Sequence, residues 1–152
     1  MRRSWLAAVL LVPACAAPVK DCPAIAQAPV VTVTILGSYV PAVNTVHLKA
    51  CQSGICKEGD LKLAPGQTPV DQSCEENPDS VCSATASRDG TLYGHLWLDL
   101  ITENPIEATV SGTGTDSSPL PVRTITFTPT LTECPKFITA SLLLDADGIR
   151  QG

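Results

Sequence analysis

Short runs of alternating apolar and polar residues recur along this chain, and they restrict it to an all-β fold. The segment Val30–Leu36 reads VVTVTIL, with Val31, Val33 and Ile35 at every second position. Successive side chains of a strand point to opposite faces, so this period of two predicts a strand with one buried face. No stretch of ten or more residues shows the period of an amphipathic helix. The pattern therefore favours sheets over helices.

Six further runs bring the predicted strands to seven. They are Val30–Leu36, Val43–Ala50, Asp60–Leu63, Thr91–Ile101, Glu107–Gly112, Val122–Thr128 and Phe137–Leu144. The residues expected to point inward are Val31, Val33, Ile35, Val46, Leu48, Ala50, Leu92, Leu96, Leu98, Leu100, Ile138, Ala140, Leu142 and Leu144. Thirteen prolines and ten glycines suit the turns between such strands.

The segments between the strands carry turn signals. Asp89–Gly90 predicts a turn, and the Gly/Ser/Pro-rich segment Thr113–Pro121 predicts a hairpin loop. Residues 64–90 form the longest segment without periodicity and are expected to be irregular, beginning at Ala64-Pro65-Gly66. Asp145–Gly148 predicts a turn after the last strand.

Seven short strands joined by turns predict an antiparallel β-sandwich of about one domain. The architecture resembles that of immunoglobulin-like domains. The Cys–Trp–Cys spacing of the true immunoglobulin family is missing, so the expectation covers architecture alone. A partly open barrel is the alternative.

The first residues have the features of a secretory signal peptide. Arg2 and Arg3 precede an apolar run from Trp5 to Pro13, which is too short to span a membrane as a helix, and small residues follow. Such a segment directs export and is then removed, so the rest of the chain is expected outside the cytoplasm. The chain then divides into a signal peptide at 1–14, a tether at 15–29 and a single domain at 30–152.

The end of this segment, Val12-Pro13-Ala14-Cys15, resembles the lipobox of bacterial lipoprotein precursors. The resemblance is confined to these residues, and Pro13 departs from the usual pattern. It implies cleavage before Cys15 and acylation of that cysteine, which would hold the protein on the outer face of the cell membrane. The alternative is plain secretion after cleavage at Ala16, since Ala14-Cys15-Ala16 also fits a signal-peptidase site.

Either route leaves an even set of cysteines in an oxidising compartment. The six that remain are Cys22, Cys51, Cys56, Cys74, Cys82 and Cys134. Three disulfides are the natural expectation, and six cysteines allow about fifteen connectivities, among which the sequence alone does not choose. Short loops favour Cys51–Cys56 and Cys74–Cys82, which would leave Cys22–Cys134. The spacings do not match a zinc site, so no metal or other cofactor is expected.

The charge of the mature chain excludes one class of partner. Without Arg2 and Arg3, eight cationic side chains face fifteen carboxylates. Nucleic-acid binding is not expected, because no basic stripe is available for phosphates. The expected contacts are the membrane, through the lipid anchor, and an envelope protein or glycan.

The sequence offers little support for a catalytic site. His47 and His95 both lie mid-strand on faces opposite the predicted core, and no G-x-S-x-G motif occurs. The acidic cluster of Glu75, Glu76 and Asp79, like the turn at Asp145–Gly148, could supply oxygens to calcium but fits a solvated loop or turn better. We therefore expect no enzymatic activity.

One strand carries a candidate contact surface. In Thr91–Ile101, Tyr93, His95 and Trp97 share the face opposite the leucines. Exposed aromatic side chains often mark a binding site. The alternative is a strand covered on both faces, for instance by residues 64–90, in which the three rings are structural. The sequence thus predicts a non-catalytic binding or cell-envelope interaction module, and an accessory or inhibitor of an envelope enzyme is the alternative.

Overall fold

The structure is a computed structural model that describes residues 28–71, 84–133 and 136–152. Its regular elements are strands, apart from one turn of 3₁₀ helix at Val40–Ala42. The strands are β1 (Val30–Ile35), β2 (Val43–Gln52), β3 (Ile55–Asp60), β4 (Ala64–Asp71), β5 (Ala84–Trp97), β6 (Ile106–Gly114), β7 (Arg123–Phe127), β8 (Thr130–Glu133), β9 (Lys136–Leu144) and β10 (Ile149–Gln151).

The strands form two sheets that pack face to face, which confirms the predicted sandwich. The first sheet has the order β10-β9-β1-β5-β4, with β8 also pairing with β9, and the second has the order β3-β2-β6-β7. Every strand pair is antiparallel except β1 with β9, where Val31 lies opposite Ala140 in a parallel ladder.

The core lies between the sheets and is made of the residues that alternate in the sequence. Both sheets contribute fully buried side chains, including Val31, Val33, Ile35, Val46, Leu48, Ile106 and Leu142. Ala50, Ala140 and Leu144 are also buried, as expected, and Ile138 packs against the core from a half-buried position. Burial of these side chains contributes roughly 1.5–3 kcal/mol for each Val, Ile or Leu removed from water.

The predicted strand at Asp60–Leu63 is wrong, because only Asp60 belongs to a strand. The chain is extended before this segment, as β3, and again after it, as β4, whereas Leu61–Leu63 connect the two. Leu61 follows the last residue of β3 and is buried, and its N–H donates to the carbonyl of Val46 in β2 at 2.8 Å. Leu61 is an apolar, buried residue in the segment between β3 and β4, so its place in the sequence resembled that of a core residue in a strand.

The predicted irregular region at residues 64–90 is also wrong where the structure describes it. Residues 64–71 form β4 and residues 84–90 form the first half of β5, and the two pair antiparallel. Residues 84–90 of β5 and the part of β4 that pairs with them extend beyond β1, because β1 ends where Ile35 lies opposite Leu92. The result is a two-stranded arm, residues 67–71 and 84–90, that projects from the sandwich.

Asp89–Gly90 is not a turn but an irregularity inside β5. Pro65 pairs with Leu92 and Gln67 pairs with Arg88, so β5 carries two more residues than β4 between these pairs. Gly90 has a φ of +82°, a conformation in which glycine avoids the strain of a Cβ atom.

The remaining boundaries agree in outline with the sequence. β6 and β7 form the predicted hairpin around the Thr113–Pro121 segment. Asp145–Gly148 is a turn, but it leads into β10, so Phe137–Leu144 is not the last strand as expected.

The leucine face of β5 ends early, because the strand stops at Trp97. Leu98 still packs against the core, whereas Leu100 is exposed and Ile101 is buried instead.

The Cys51–Cys56 disulfide is present and confirms one predicted bridge. It joins β2 to β3 across a two-residue turn, Ser53–Gly54, in which both residues have positive φ, as hairpin turns of this length prefer. The predicted signal peptide, the lipidation site Cys15 and the remaining cysteines, Cys22, Cys74, Cys82 and Cys134, lie outside the described residues.

Candidate functional site

The outer face of the first sheet carries three ring side chains in a row, which we call the aromatic strip: Tyr93, His95 and Trp97. All three belong to β5 at alternate positions, so they point away from the core on which Leu92 and Leu96 pack. Trp97 is 65% exposed, His95 is exposed and Tyr93 is half-buried. The structure therefore places the three predicted residues together on a surface of the domain.

Neighbouring strands fix the position of the strip. Thr32 of β1 lies opposite His95, and its hydroxyl is 2.9 Å from Nδ1 of the imidazole. The rings of Tyr93 and His95 are 5.3 Å apart between centroids and tilted by 57°. This is the spacing at which aromatic rings attract one another, so the two rings support each other's orientation.

Trp97 lies at the end of the strip and of the strand. Its cross-strand neighbour is Val30, the first residue of β1. A tryptophan ring offers a large apolar area and one N–H donor, and fixing it in a contact costs little conformational entropy. The strip can thus stack on a planar or ring-shaped ligand and donate or accept hydrogen bonds through His95 and the Tyr93 hydroxyl.

His47, the other candidate histidine, lies on the outer face of the second sheet. Its Nδ1 is 2.8 Å from a carboxylate oxygen of Asp60 on the neighbouring strand β3, and the Asp60 side chain is 85% exposed. The two histidines are therefore on opposite outer faces of the sandwich. Their surroundings do not bring them to a common site.

The Asp145–Gly148 turn uses its first carboxylate for its own structure. The backbone N–H groups of Asp147 and Gly148 each donate to Oδ1 of Asp145 at 2.9 Å, and the Arg150 guanidinium donates to Oδ2. The hydrogen bond from Arg150 and the one from the Gly148 N–H hold the pKa of Asp145 below its ordinary value. The carboxylate closes the hairpin between β9 and β10.

The structure shows a second surface that the sequence did not reveal. At the end of the sandwich where β2 turns into β3 and β5 ends, Ile55, Leu98 and Leu100 line a pocket of about 160 Å³. Lys57 and Asp99 form an ion pair across it, with 3.1 Å between Nζ and Oδ1. We call this end of the sandwich the base. No periodic pattern could identify it, because its residues come from the end of β2, the start of β3 and the loop that follows β5.

Gln52 fixes the loop of the base. This buried side chain donates from Nε2 to the carbonyls of Thr102 (3.0 Å) and Asn104 (2.6 Å) and accepts at Oε1 from the Thr102 N–H (3.0 Å). Buried amides stabilise a structure when their donors and acceptors are paired, as here. The segment between β5 and β6, including Leu100, is thereby held against β2.

Comparison of this chain with protein-family profiles, with curated proteins and with solved structures finds no match. Within the residues that the structure describes, no helix is long and apolar enough to cross a membrane.

Proposed function

We propose that this chain is an exported envelope protein, held on the outer face of a cell membrane by a lipid on Cys15, whose β-sandwich is a non-catalytic binding module. The aromatic strip is its contact surface. The observation that carries the binding role is the 65% exposure of Trp97 on the outer sheet face that also carries His95 and Tyr93. Large aromatic side chains are usually covered in a soluble domain, and they dominate the energetics of interfaces.

The export and anchoring role rests on the N-terminal residues. The cationic start, the short apolar run and the cysteine that follows it have the order required for export and lipidation. The Cys51–Cys56 disulfide supports exposure to an oxidising compartment, because such bridges persist there. The expected partner is an envelope protein or a glycan that meets the strip.

A photo-crosslinking amino acid in place of His95 tests the binding role in cells that express the full chain. Crosslinked product of defined mass is expected after irradiation, and it should be lost when Trp97→Ala is added. The matched control carries the same amino acid in place of Thr126, which is exposed on the outer face of the second sheet. Equal products from positions 95 and 126, or no product from position 95, would contradict the proposed contact surface.

A further inference from the structure

The exposed apolar side chains of the described residues are unevenly distributed. Two of the six large ones lie away from the base, Val70 on the arm and Val122 beside the loop between β6 and β7. Three of the other four lie at or next to the base, namely Ile55, Trp97 and Leu100, and the fourth, Leu131, lies in β8 opposite Ile138. Clustered exposed apolar residues mark an interaction surface, whereas scattered ones are ordinary.

The base is also the end at which the preceding chain enters the domain. The N–H of Leu98 donates to the carbonyl of Pro29 at 2.8 Å, and Val30 pairs with Trp97. Ala28 and Pro29, the first residues that the structure describes, therefore lead into the sandwich next to the strip's last ring and next to the loop that carries Leu100. A lipid anchor at Cys15 would therefore be connected to the domain at the base.

The distance from the proposed anchor is short. Twelve residues lie between Cys15 and Ala28, and a chain of this length spans at most about 45 Å when fully extended. Tethers of this length keep two attached groups at high effective concentration. With the lipid of Cys15 in the bilayer, the base is the part of the domain that the chain draws towards the membrane.

Resting on that anchoring, we propose that the base is a membrane-contacting surface, with Ile55, Trp97 and Leu100 placed in the interfacial layer of the bilayer. Tryptophan favours this layer, because one part of its ring system is apolar and its N–H can reach water or headgroups. Gln52 holds the loop of Leu100 in place before contact, so the surface is preformed.

The charges of the base favour uncharged lipids. Lys57 is paired with Asp99, and the mature chain carries more carboxylates than cations. Binding to anionic headgroups would therefore gain little from electrostatics. The contact is apolar, and a partner bound to the aromatic strip would sit next to the lipid surface.

Trp97 fluorescence in vesicles tests the proposal. The full chain carries Trp5→Phe, so that Trp97 is the only tryptophan, and the mature protein extracted from membranes is reconstituted into phosphatidylcholine vesicles with or without bromine on the upper acyl chains. Because an interfacial contact places apolar groups about 5–10 Å into the boundary layer, brominated lipid should remove about half of the emission.

Paired variants separate the base from the rest of the surface. Ile55→Ser with Leu100→Ser should abolish most of the quenching, whereas Val70→Ser with Val122→Ser should leave it unchanged. Val122 is a close match for Leu100, since the two side chains are 69% and 70% exposed. Equal quenching in both double variants would overturn the proposal, because the anchor alone would then explain it.

The intact mass of the same preparation keeps this inference distinct from the proposed function. An acylated protein whose Trp97 is not quenched overturns the membrane contact and leaves the anchor standing. A protein without acyl chains overturns both. Emission that shifts to the blue with protein concentration in the absence of vesicles would assign the base to a second copy of the chain and would also overturn the proposal.

Discussion

Gly112 lies where β6 passes a bulge in β2, and the two backbones approach closely. β2 contains one extra residue between Val43 and Thr45 relative to its partner. A Cβ atom on Gly112 would be 2.0 Å from the carbonyl oxygen of Thr45 and 3.1 Å from the Cα of Val46. These neighbours are backbone atoms of a central strand pair, and moving them would disrupt the ladder between β2 and β6.

Gly112→Ala should therefore lower the free energy of unfolding by about 1–3 kcal/mol, as overpacking does. Gly59→Ala is the matched control in β3. Its Cβ would meet only Leu96 Cδ1 at 3.7 Å, and it should stay within about 0.5 kcal/mol of the native protein. Chemical denaturation measures both. Equal effects at the two positions would contradict the register of β2 with β6.

Asp145 gives the C-terminal hairpin a dependence on pH. Its pKa is lowered by hydrogen bonds from Arg150 and the Gly148 N–H, so the folded state favours the carboxylate. This stabilisation is present above the pKa of the unfolded chain, about 3.9, and is lost as the pH falls through the lower pKa of the folded state.

Asp145→Asn should thus reduce stability at pH 7, and its difference from the native protein should vanish in acid. The control is Asp147→Asn, an exposed carboxylate on the same turn. Thermal unfolding between pH 2 and 7 provides the comparison. A difference that persists unchanged below the folded pKa would show that the carboxylate does not act through its charge.

At the scale of the elements, the sequence predicts best the strands that bury one face. β1, β2, β6 and β9 alternate visibly because water covers one face and the core covers the other. β3 is a sheet edge with both faces largely exposed, so it has no period to detect. β4 contains Pro65 and Pro69, which normally end strands, and an edge position tolerates them.

The Cys51–Cys56 bridge stabilises one of these weakly patterned elements. Because it closes a very short loop, its contribution should be about 2 kcal/mol, from the restriction of the unfolded chain. Cys51→Ala with Cys56→Ala should lower the free energy of unfolding by that amount and leave the fold intact, since the hairpin keeps its two-residue turn. Circular dichroism during denaturation measures both properties.

Thiol titration of the denatured, unreduced mature protein extends the test to the other cysteines. All six that follow Cys15 are expected to be oxidised, so no free thiol should react. Two or more reactive thiols per molecule would overturn the framework of three bridges.

At the scale of the whole molecule, the two-layer architecture was predictable and the order of the strands was not. The parallel pairing of β1 with β9 joins residues more than a hundred positions apart, and local patterns contain no signal for it. The aromatic strip was predictable, because three alternate residues of one strand must share a face. The base was not, because Ile55 and Leu100 meet only after β2, β3 and β5 have assembled.

The location of the molecule depends on Cys15. Intact-mass analysis of membrane-extracted protein should find an acylated cysteine at the N-terminus, and Cys15→Ser should release the protein or leave its precursor uncleaved. An unmodified chain beginning at Ala17 and recovered from the medium would instead establish plain secretion.

Quenching of Trp97 fluorescence by iodide tests whether the aromatic strip is open to solvent. In the full chain with Trp5→Phe and Cys15→Ser, which lacks the lipid and is kept free of detergent and vesicles, we predict red-shifted emission that iodide quenches readily, because Trp97 is 65% exposed. Trp97→Ala should then change the free energy of unfolding by no more than about 0.5 kcal/mol, whereas Leu48→Ala in the core should cost about 2–5 kcal/mol. Blue-shifted emission that resists iodide, with Trp97→Ala costing about 3–5 kcal/mol, would show a packed structural ring and contradict the account.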